Sequence, residues 1–339
     1  MENQTEKAIV KSQTLPPSQR FTNKVIEEYG NSTSGAIKLS EQQKRLVQGY
    51  FICIDRALSV AENNRQKKDG KGNPYTWENV NMTDLALDAV HYARIGLDMQ
   101  EKNHLFPIPY ANRKTGKYDI TFTVGYSGIQ YIAEKYAISP PRSVTVEAVY
   151  SNDVFKPLKK SKTNPVETYE FEITNPFDRG SIIGGFGYIE YDDASKNTLV
   201  IMNMDAIKKR AGKNANPEFW STSFTGKKTT AWENGQKVYV DADGWLDEMV
   251  RKTLIREVYS SKYIARDPSK IDDDYQHLKE REVVYAQAEI DAEATENANS
   301  TPLSIPQKEE QPPAPTEETQ SEETVPAEKK TGGKEVPDF

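Results

Sequence analysis

Clusters of lysine and arginine are the residues of this sequence whose types and spacing could do chemistry. Four separate segments carry them: Arg113, Lys114 and Lys117 in a turn; Lys208, Lys209, Arg210 and Lys213 in a short helix; Lys227 and Lys228 before a hairpin; and Arg251, Lys252 and Arg256 in a long helix. Cations crowded within two helical turns repel one another unless an anion is close. The pattern therefore predicts a groove that binds phosphates, and a solvated charged surface is the alternative.

One continuous segment, residues 104–136, places the first cluster next to aromatic rings. Apolar and polar residues alternate over 118–124, as in a half-buried strand, and apolar residues recur at helical spacing after Gly125. The segment predicts a hairpin with three cations at its tip, followed by a helix. Because cations attract phosphates and rings stack on bases, a nucleic-acid platform could form there. Its rings would be Tyr110, Tyr118, Tyr126 and Tyr131. An ordinary solvated turn over an ordinary core is the alternative.

Residues typical of catalysis form no recognisable constellation. The three histidines are far apart in the sequence, which holds no C-x-x-C pair, no H-x-x-x-H pair and no G-x-x-x-x-G-K-[ST] loop. Asp272–Asp274 could hold a divalent cation, although such a run is more often a solvated linker. Glycines at 184, 185 and 187 interrupt a strand pattern and predict a bulge or a close approach of backbones. We expect no enzyme, metal or cofactor, and a metal-dependent nuclease is the remoter alternative.

Charge is divided unevenly along the 339 residues. Residues 280–339 hold 15 acidic and 5 basic residues, a net charge of −10 against −7 for the whole chain, so residues 1–279 carry +3. From Thr295 onward, Pro, Glu, Thr, Ser and Gln dominate without periodic apolar residues. Such a segment cannot offset its conformational entropy by burying apolar surface. The sequence predicts a slightly basic folded body and a disordered acidic tail.

Secretion and membrane insertion are not predicted. Cys53 is the single cysteine, which excludes an intramolecular disulfide and favours a reducing compartment. The first twenty residues lack the apolar segment of a signal peptide, and no run of about 18 apolar residues occurs. We expect a cytoplasmic protein with no membrane partner.

Helix and strand signals predict an α+β fold. Ser40 and Gln43 form a capping box for a long helix, while Thr83 and Asp205 are the expected caps of two later helices. The predicted elements are helices at 40–61, 84–95, 205–212, 244–265 and within 271–295, strands at 143–150, 168–174, 181–193 and 197–204, and hairpins at 104–124 and 229–241. The expected architecture is a small antiparallel sheet with a β-hairpin and long packing helices, preceded by a helical N-terminal part.

These elements divide the chain into four segments. They are a flexible N-terminal segment, 1–39; a core, 40–266, with a helical part 40–96 and an α+β part 97–266; a linker with a charged helix, 267–294; and the acidic tail, 295–339.

Five short motifs follow one another within the core. They are Gly96-Leu97, Pro109-Tyr110, Gly125-Tyr126-Ser127-Gly128, Ala211-Gly212-Lys213-Asn214, and Trp245 followed by Lys252-Thr253-Leu254-Ile255-Arg256. Each motif alone is weak, but the ordered set resembles the RecT family of phage single-strand annealing proteins. Ser127 departs from the family, in which a basic residue is common at that position. Residues 221–243 resemble an inserted hairpin of unassigned role.

The resemblance implies ATP-independent annealing of complementary DNA strands during phage recombination. It implies binding of single-stranded DNA and of annealed duplex, homo-oligomers on DNA, a phage 5′→3′ exonuclease as partner, and contact with the host single-strand DNA-binding protein. Tyr126 and Gln130 join the cations above as expected DNA contacts. A passive single-strand DNA-binding protein is the alternative that the same residues allow.

Subunit contacts of such an oligomer are expected in the helical part, 40–96. Its apolar stripe, with Tyr50 and Trp77 as exposed rings, exceeds what one small core needs. The alternative is that these residues pack on the sheet, which for Tyr50 is the usual fate of such a ring.

Overall fold

The computed structural model describes residues 15–32, 39–68, 70–212, 215–233 and 236–284. The helices are α1 (Pro17–Ser32), α2 (Glu41–Lys68), α3 (Met82–Ile95), α4 (Tyr126–Lys135), α5 (Met204–Ala211), α6 (Pro217–Trp220), α7 (Thr222–Thr225), α8 (Leu246–Val258) and α9 (273–284). The strands are β1 (Leu105–Asn112), β2 (Lys117–Val124), β3 (Ser143–Tyr150), β4 (Val154–Leu158), β5 (Thr168–Glu172), β6 (Ile182–Glu190), β7 (Thr198–Asn203), β8 (Thr229–Glu233) and β9 (Gln236–Val240). The predicted acidic tail, Lys213 and the turn Asn234-Gly235 lie outside the described residues.

Antiparallel pairing organises every strand of the described segments. One sheet has the order β3-β6-β7, and three hairpins pair β1 with β2, β4 with β5, and β8 with β9. The α+β class, with a small antiparallel sheet and a helical N-terminal part, is therefore confirmed. Each helix in these segments is too short or too polar to span a lipid bilayer.

A first hydrophobic core joins α1, α2 and α3 to the β1–β2 hairpin. Its fully buried aromatic side chains include Phe21, Tyr50, Tyr92 and Phe122. Tyr50 meets the ring of Phe122 edge-on, with 5.6 Å between centroids, and Trp77 is 7% exposed. The prediction that Tyr50 and Trp77 are exposed was wrong, because these large rings fill the space between the helices and the hairpin.

The last described helix, α9, completes this core. Tyr275 and Leu278 of α9 are buried in it. Asp88 of α3 is 1% exposed and accepts hydrogen bonds from His277, at 2.7 Å, and from Arg281, at 2.8 Å. A carboxylate removed from water needs such partners, so these bonds fasten α9 to α3.

Two predicted helix caps were wrong. α3 begins at Met82, because Val80 still forms a β-bridge with β2 and Asn81 takes the cap position instead of Thr83. α5 begins directly after β7, and the side chain of Asn203, rather than that of Asp205, accepts the capping hydrogen bond. In both cases the preceding strand pairing decides where the helix starts.

A second core lies between the three-stranded sheet and α8. A Cβ atom built at Gly185 would lie 2.3 Å from Cδ1 of Leu254, and one at Gly187 would lie 2.1 Å from Cγ2 of Val258. Glycine is thus required where the helix packs directly on the backbone of β6. This confirms the predicted close approach and fixes the position of α8.

The last long helix is shorter than predicted, since α8 ends at Val258 rather than near residue 265. Arg266 folds back, and its guanidinium donates to the carbonyl oxygens of Tyr259, at 2.7 Å, and of Ile264. These bonds hold the following residues in turns instead of a further helical turn.

Two charged side chains occupy the outer edge of β7. The ammonium of Lys159 donates to the carbonyl oxygen of Leu199 at 2.7 Å. The backbone N–H of Leu199 donates to a carboxylate oxygen of Glu167 at 2.6 Å. Lys159 and Glu167 also pair with each other at 2.7 Å. The backbone groups of Leu199 that point away from β6 are therefore satisfied by side chains.

Candidate nucleic-acid interface

A cleft of about 310 Å³ separates α4 from α8. It is lined by Tyr126, Gln130, Glu248, Arg251, Lys252 and Ile255. Four of these six, Tyr126, Gln130, Arg251 and Lys252, are residues that the sequence analysis proposed as DNA contacts. The fold thus brings together an aromatic ring, an amide and two cations from segments about 120 residues apart.

The start of α4 is fixed by backbone groups rather than by a capping side chain. The N–H groups of Gly125, Ser127 and Gly128 donate to carbonyl oxygens of Asn103 or His104 at 3.0–3.4 Å. A Cβ atom at either glycine would lie 2.2 Å from one of those oxygens, which explains the spacing of the Gly-x-x-Gly motif. These three N–H groups are already used, so they do not bind an anion in the cleft.

The hydroxyl on the α4 side of the cleft is held by a hydrogen bond, because the amide of Asn103 donates to the hydroxyl of Tyr126 at 2.6 Å. Burial and the charge of Glu134 raise the pKa of the Tyr259 hydroxyl, and the amide of Gln130 lowers it. Tyr126 is therefore preorganised, which lowers the cost of ordering it around a ligand.

The α8 side supplies the charge. Arg251 is exposed and Lys252 half-buried, and neither forms an ion pair with another residue of the described segments. Glu248, one turn before Lys252, is the single acid of the lining, so the cleft keeps a net positive charge. Arg256 lies one turn beyond Lys252 on nearly the same side of the helix. Unpaired cations beside a preorganised ring and an amide suit a phosphodiester chain.

The cations of α5 lie elsewhere. Arg210 pairs with Glu257 of α8 at 2.7 Å, and Glu257 is about 140° around the helix from Lys252. Lys208 lies 5.5 Å from the ring of Phe224, and Lys209 is exposed. The short helix therefore packs against a different side of α8, and Arg210 is engaged by a buried carboxylate.

The remaining predicted contacts are also outside the cleft. Arg113, Lys114 and Lys117 are exposed at the tip of the β1–β2 hairpin, about 23 Å along the strands from the start of α4. Lys228 pairs with Asp241 at 3.4 Å at the base of the β8–β9 hairpin, which also carries Lys227.

Of the tyrosines predicted to form a platform with the hairpin tip, Tyr126 lines the cleft. Tyr118 is 6% exposed and stacks on Tyr75 with 4.1 Å between centroids, so it cannot stack on a base. The hydroxyl of Tyr131 donates to the carbonyl oxygen of Ile95 at 3.0 Å, at the end of α3. The predicted platform at the hairpin tip was therefore wrong for Tyr118, because the first core takes up its ring.

Three residues of the site had not been found from the sequence. Glu248 and Ile255 line the cleft, and Asn103 orients Tyr126. Asn103 adopts a positive φ of 59°, a conformation that asparagine tolerates better than most residues, but its partner is not evident from spacing.

Two of the three aspartates considered for metal binding have structural partners. Asp274 accepts from His91 at 2.7 Å and pairs with Arg94 at 3.3 Å. Asp272 accepts from the N–H of Tyr275 at 2.8 Å. Within the described segments, no group of three or more His, Cys, Asp or Glu side chains is arranged to hold a metal ion. These carboxylates serve to join α9 to the first core.

Comparison with known protein families gives a match. The sequence model of the RecT family matches residues 61–285, a range that includes the residues lining the cleft and the second core but not α1. Neither a curated protein nor a solved structure matches the chain. A match over about two thirds of the sequence shows that this chain belongs to the RecT family of phage recombinases, which bind DNA and anneal single strands.

Proposed function

We propose that the protein anneals complementary DNA strands without ATP and holds the first strand by its phosphates in the cleft between α4 and α8. The observation that carries this proposal is the meeting of Arg251 and Lys252 with Tyr126 and Gln130. Phosphate contacts carry no sequence information, so they leave the bases of the bound strand free to pair with a second strand.

Assembly on DNA follows from the size of the cleft. Two or three cations cover a few phosphates, whereas annealing must test a longer match, so neighbouring subunits must share one strand. We propose that single-stranded DNA and the annealed duplex are the ligands and that the protein works as a homo-oligomer in the bacterial cytoplasm. A phage 5′→3′ exonuclease would supply the single strand, and the host single-strand DNA-binding protein would be displaced from it.

The other cations extend this proposal. We expect Lys208, Lys209, Lys227 and Lys228, and the hairpin tip, to act on a different part of the strand or on a neighbouring subunit's DNA, since they lie outside the cleft. The acidic tail after Thr295 is proposed to be dispensable for annealing, and cutting it at residue 294 should leave annealing intact.

The test is the salt dependence of DNA binding in a variant with Arg251→Ala and Lys252→Ala. Each lost phosphate contact should lower the slope of log K against log salt by about 0.7 for single strands, and so by about 1.4 for both. The matched control is Lys44→Ala with Lys67→Ala, which removes the same charge from α2, in the other core. An unchanged slope in a folded cleft variant would place the phosphate contacts elsewhere.

Order of addition separates annealing from passive binding. Complementary strands added one after the other should form duplex faster with the protein than without it, and should give larger particles in mass photometry than a preformed duplex. A protein that binds single strands but slows duplex formation is a passive binder.

Incubating labelled DNA with Mg²⁺ tests the nuclease alternative, for which cleavage products are the signature.

A further inference from the structure

Trp245 is exposed to an extent that packing does not explain. It exposes 65% of its surface, whereas Trp77 and Trp220 expose 7% each. Leaving so large a ring in water forgoes the free energy of burying it. An exposed tryptophan with a fixed position therefore points to a ligand that covers it.

Local helix chemistry does not require a tryptophan here. Trp245 occupies the N-cap of α8, where Ser, Thr, Asp and Asn are preferred because their side chains accept a backbone hydrogen bond. Trp245 makes no such bond. A small polar residue at this position would stabilise the helix more, so helix stability does not explain the tryptophan.

The backbone that carries Trp245 is held tightly. Its N–H donates to the carbonyl oxygen of Phe219 at 2.7 Å, and its own carbonyl oxygen accepts from Met249 at 2.9 Å. Gly244 has a positive φ of 65°, and a Cβ atom there would lie 2.3 Å from the backbone nitrogen of Ser221. Two chain segments thus cross in close contact, and the ring projects from a rigid support. Phe219, at the same junction, is 51% exposed.

Chain position places Trp245 near one end of the cleft. Glu248, Arg251, Lys252 and Ile255 form the row of α8 residues that line the cleft. Trp245 is the N-cap of α8 and precedes Glu248, the first residue of that row, by three residues.

Charge along this row changes from one end to the other. The first turn of α8 carries Asp247 and Glu248, which repel phosphates, while Arg251 and Lys252 lie one turn further. A DNA strand in the cleft would therefore have its phosphates near the two cations. The acidic end, where the exposed ring stands, suits a base, whose N–H groups can donate to a carboxylate.

We propose that Trp245, with Phe219 beside it, is a stacking subsite for an unpaired nucleobase of the strand whose phosphates occupy the α4–α8 cleft. This subsite rests on the proposed function and adds to it a contact that distinguishes unpaired bases from a bare phosphate chain. The carboxylates of Asp247 and Glu248 in the first turn of α8 favour a base, which carries N–H donors, over an apolar segment of a docking protein.

The test compares two 15-nucleotide strands with equal numbers of phosphates, oligothymidine and an abasic chain, bound to the full-length protein. Trp245→Ala should weaken binding of oligothymidine by about 5- to 150-fold, the range for loss of one base–aromatic stack, and change binding of the abasic chain less than twofold. The salt slope should not change, since no phosphate contact is lost. Trp245→Phe, which keeps a stacking ring, should restore most of the affinity. Phe177→Ala removes a ring that is 98% exposed on another loop and is the matched control.

Other outcomes lead to other conclusions. Equal weakening on both strands, or no weakening on either, overturns the stacking subsite while leaving the phosphate cleft intact. A shift in the particle sizes of DNA-free protein on Trp245→Ala would assign the ring to a second copy of the chain and also overturn it. Failure of the unaltered protein to bind either strand would instead defeat the proposed function.

Discussion

Replacing Gly187 by alanine should lower the free energy of unfolding by about 1–3 kcal/mol, the usual cost of overfilling a packed core. The added Cβ atom would lie 2.1 Å from Cγ2 of Val258, about 1.3 Å closer than the onset of ordinary contact at 3.4 Å. Val258 is fully buried and β-branched, so it cannot rotate away. Either α8 or the sheet must shift to admit one methyl group.

Two further variants make this prediction specific. Gly30→Ala is the matched control, because a Cβ atom there meets nothing within 4 Å, and it should stabilise α1 by about 0.5–1 kcal/mol. Combining Gly187→Ala with Val258→Ala removes the clashing atoms. The free energy of unfolding that the double variant loses should then be smaller, by about 1 kcal/mol or more, than the losses of the two single variants added together.

Urea denaturation followed by far-ultraviolet circular dichroism measures the unaltered protein, the three single variants and the double variant. The reasoning also connects stability to the site, since a displaced α8 moves Arg251 and Lys252 away from Tyr126 and Gln130. Gly187→Ala should therefore weaken binding of single strands as well. A Gly187→Ala protein as stable as the unaltered chain, or a double variant whose losses simply add, would refute the claim that α8 rests on the strand backbone.

Three other predictions concern charged residues. Hydrogen bonds, first from Arg65 and then from the N–H of Tyr75, lower the pKa of Glu62 from 4.5 to about 2. Their stabilisation is therefore present above about pH 4.5 and is lost as the pH falls towards 2. In urea denaturation, the unfolding midpoint of Glu62→Gln should then fall less between pH 5 and pH 2.5 than that of the unaltered protein. Asp88→Ala should lower the free energy of unfolding by about 3–5 kcal/mol, because it removes the buried carboxylate to which His277 and Arg281 of α9 donate, and proteolysis should then cut near α9 sooner. Arg210→Ala should cost about 1 kcal/mol in urea denaturation and leave the salt slope of DNA binding unchanged, since Arg210 already pairs with a carboxylate.

Local sequence signals predicted those parts of the fold that local interactions decide. Ser40 and Gln43 exchange both bonds of a capping box, at 2.9 and 3.2 Å. Gly96 ends α3 with a φ of 97°, as a glycine at a helix C-terminus does. The hairpin and helix over 105–135 followed from alternation and helical spacing. In each case the determining residues are within a few positions of one another.

Features set by distant contacts were missed or misplaced. The strand β4 contains Pro157, which argues against a strand in the sequence but is tolerated where one side of the strand is unpaired. The segment 267–294 reads as a linker with a charged helix and few apolar residues, yet Leu278 of α9 is fully buried in the first core. The four proposed segment boundaries stay predictions.

In the candidate site, too, local features were predicted from the sequence and distant contacts were not. Residue type and helical spacing predicted Arg251 and Lys252 as phosphate contacts, because they lie away from the buried apolar stripe of their helix. The same criterion could not distinguish them from Arg210, whose charge is matched by Glu257 from another element. Pairing of distant residues decides which cations remain available, and the sequence does not reveal it.

The outer edge of β7 has a consequence for behaviour at high local concentration, such as assembly on one DNA strand would create. An open strand edge recruits other strands, and this is how ordered aggregates begin to grow. At Leu199, Lys159 and Glu167 already occupy the two positions that the carbonyl and N–H of an incoming strand would need. Crowded copies would therefore find this position of the β7 edge closed to strand addition, because an incoming strand would first have to displace the ion pair.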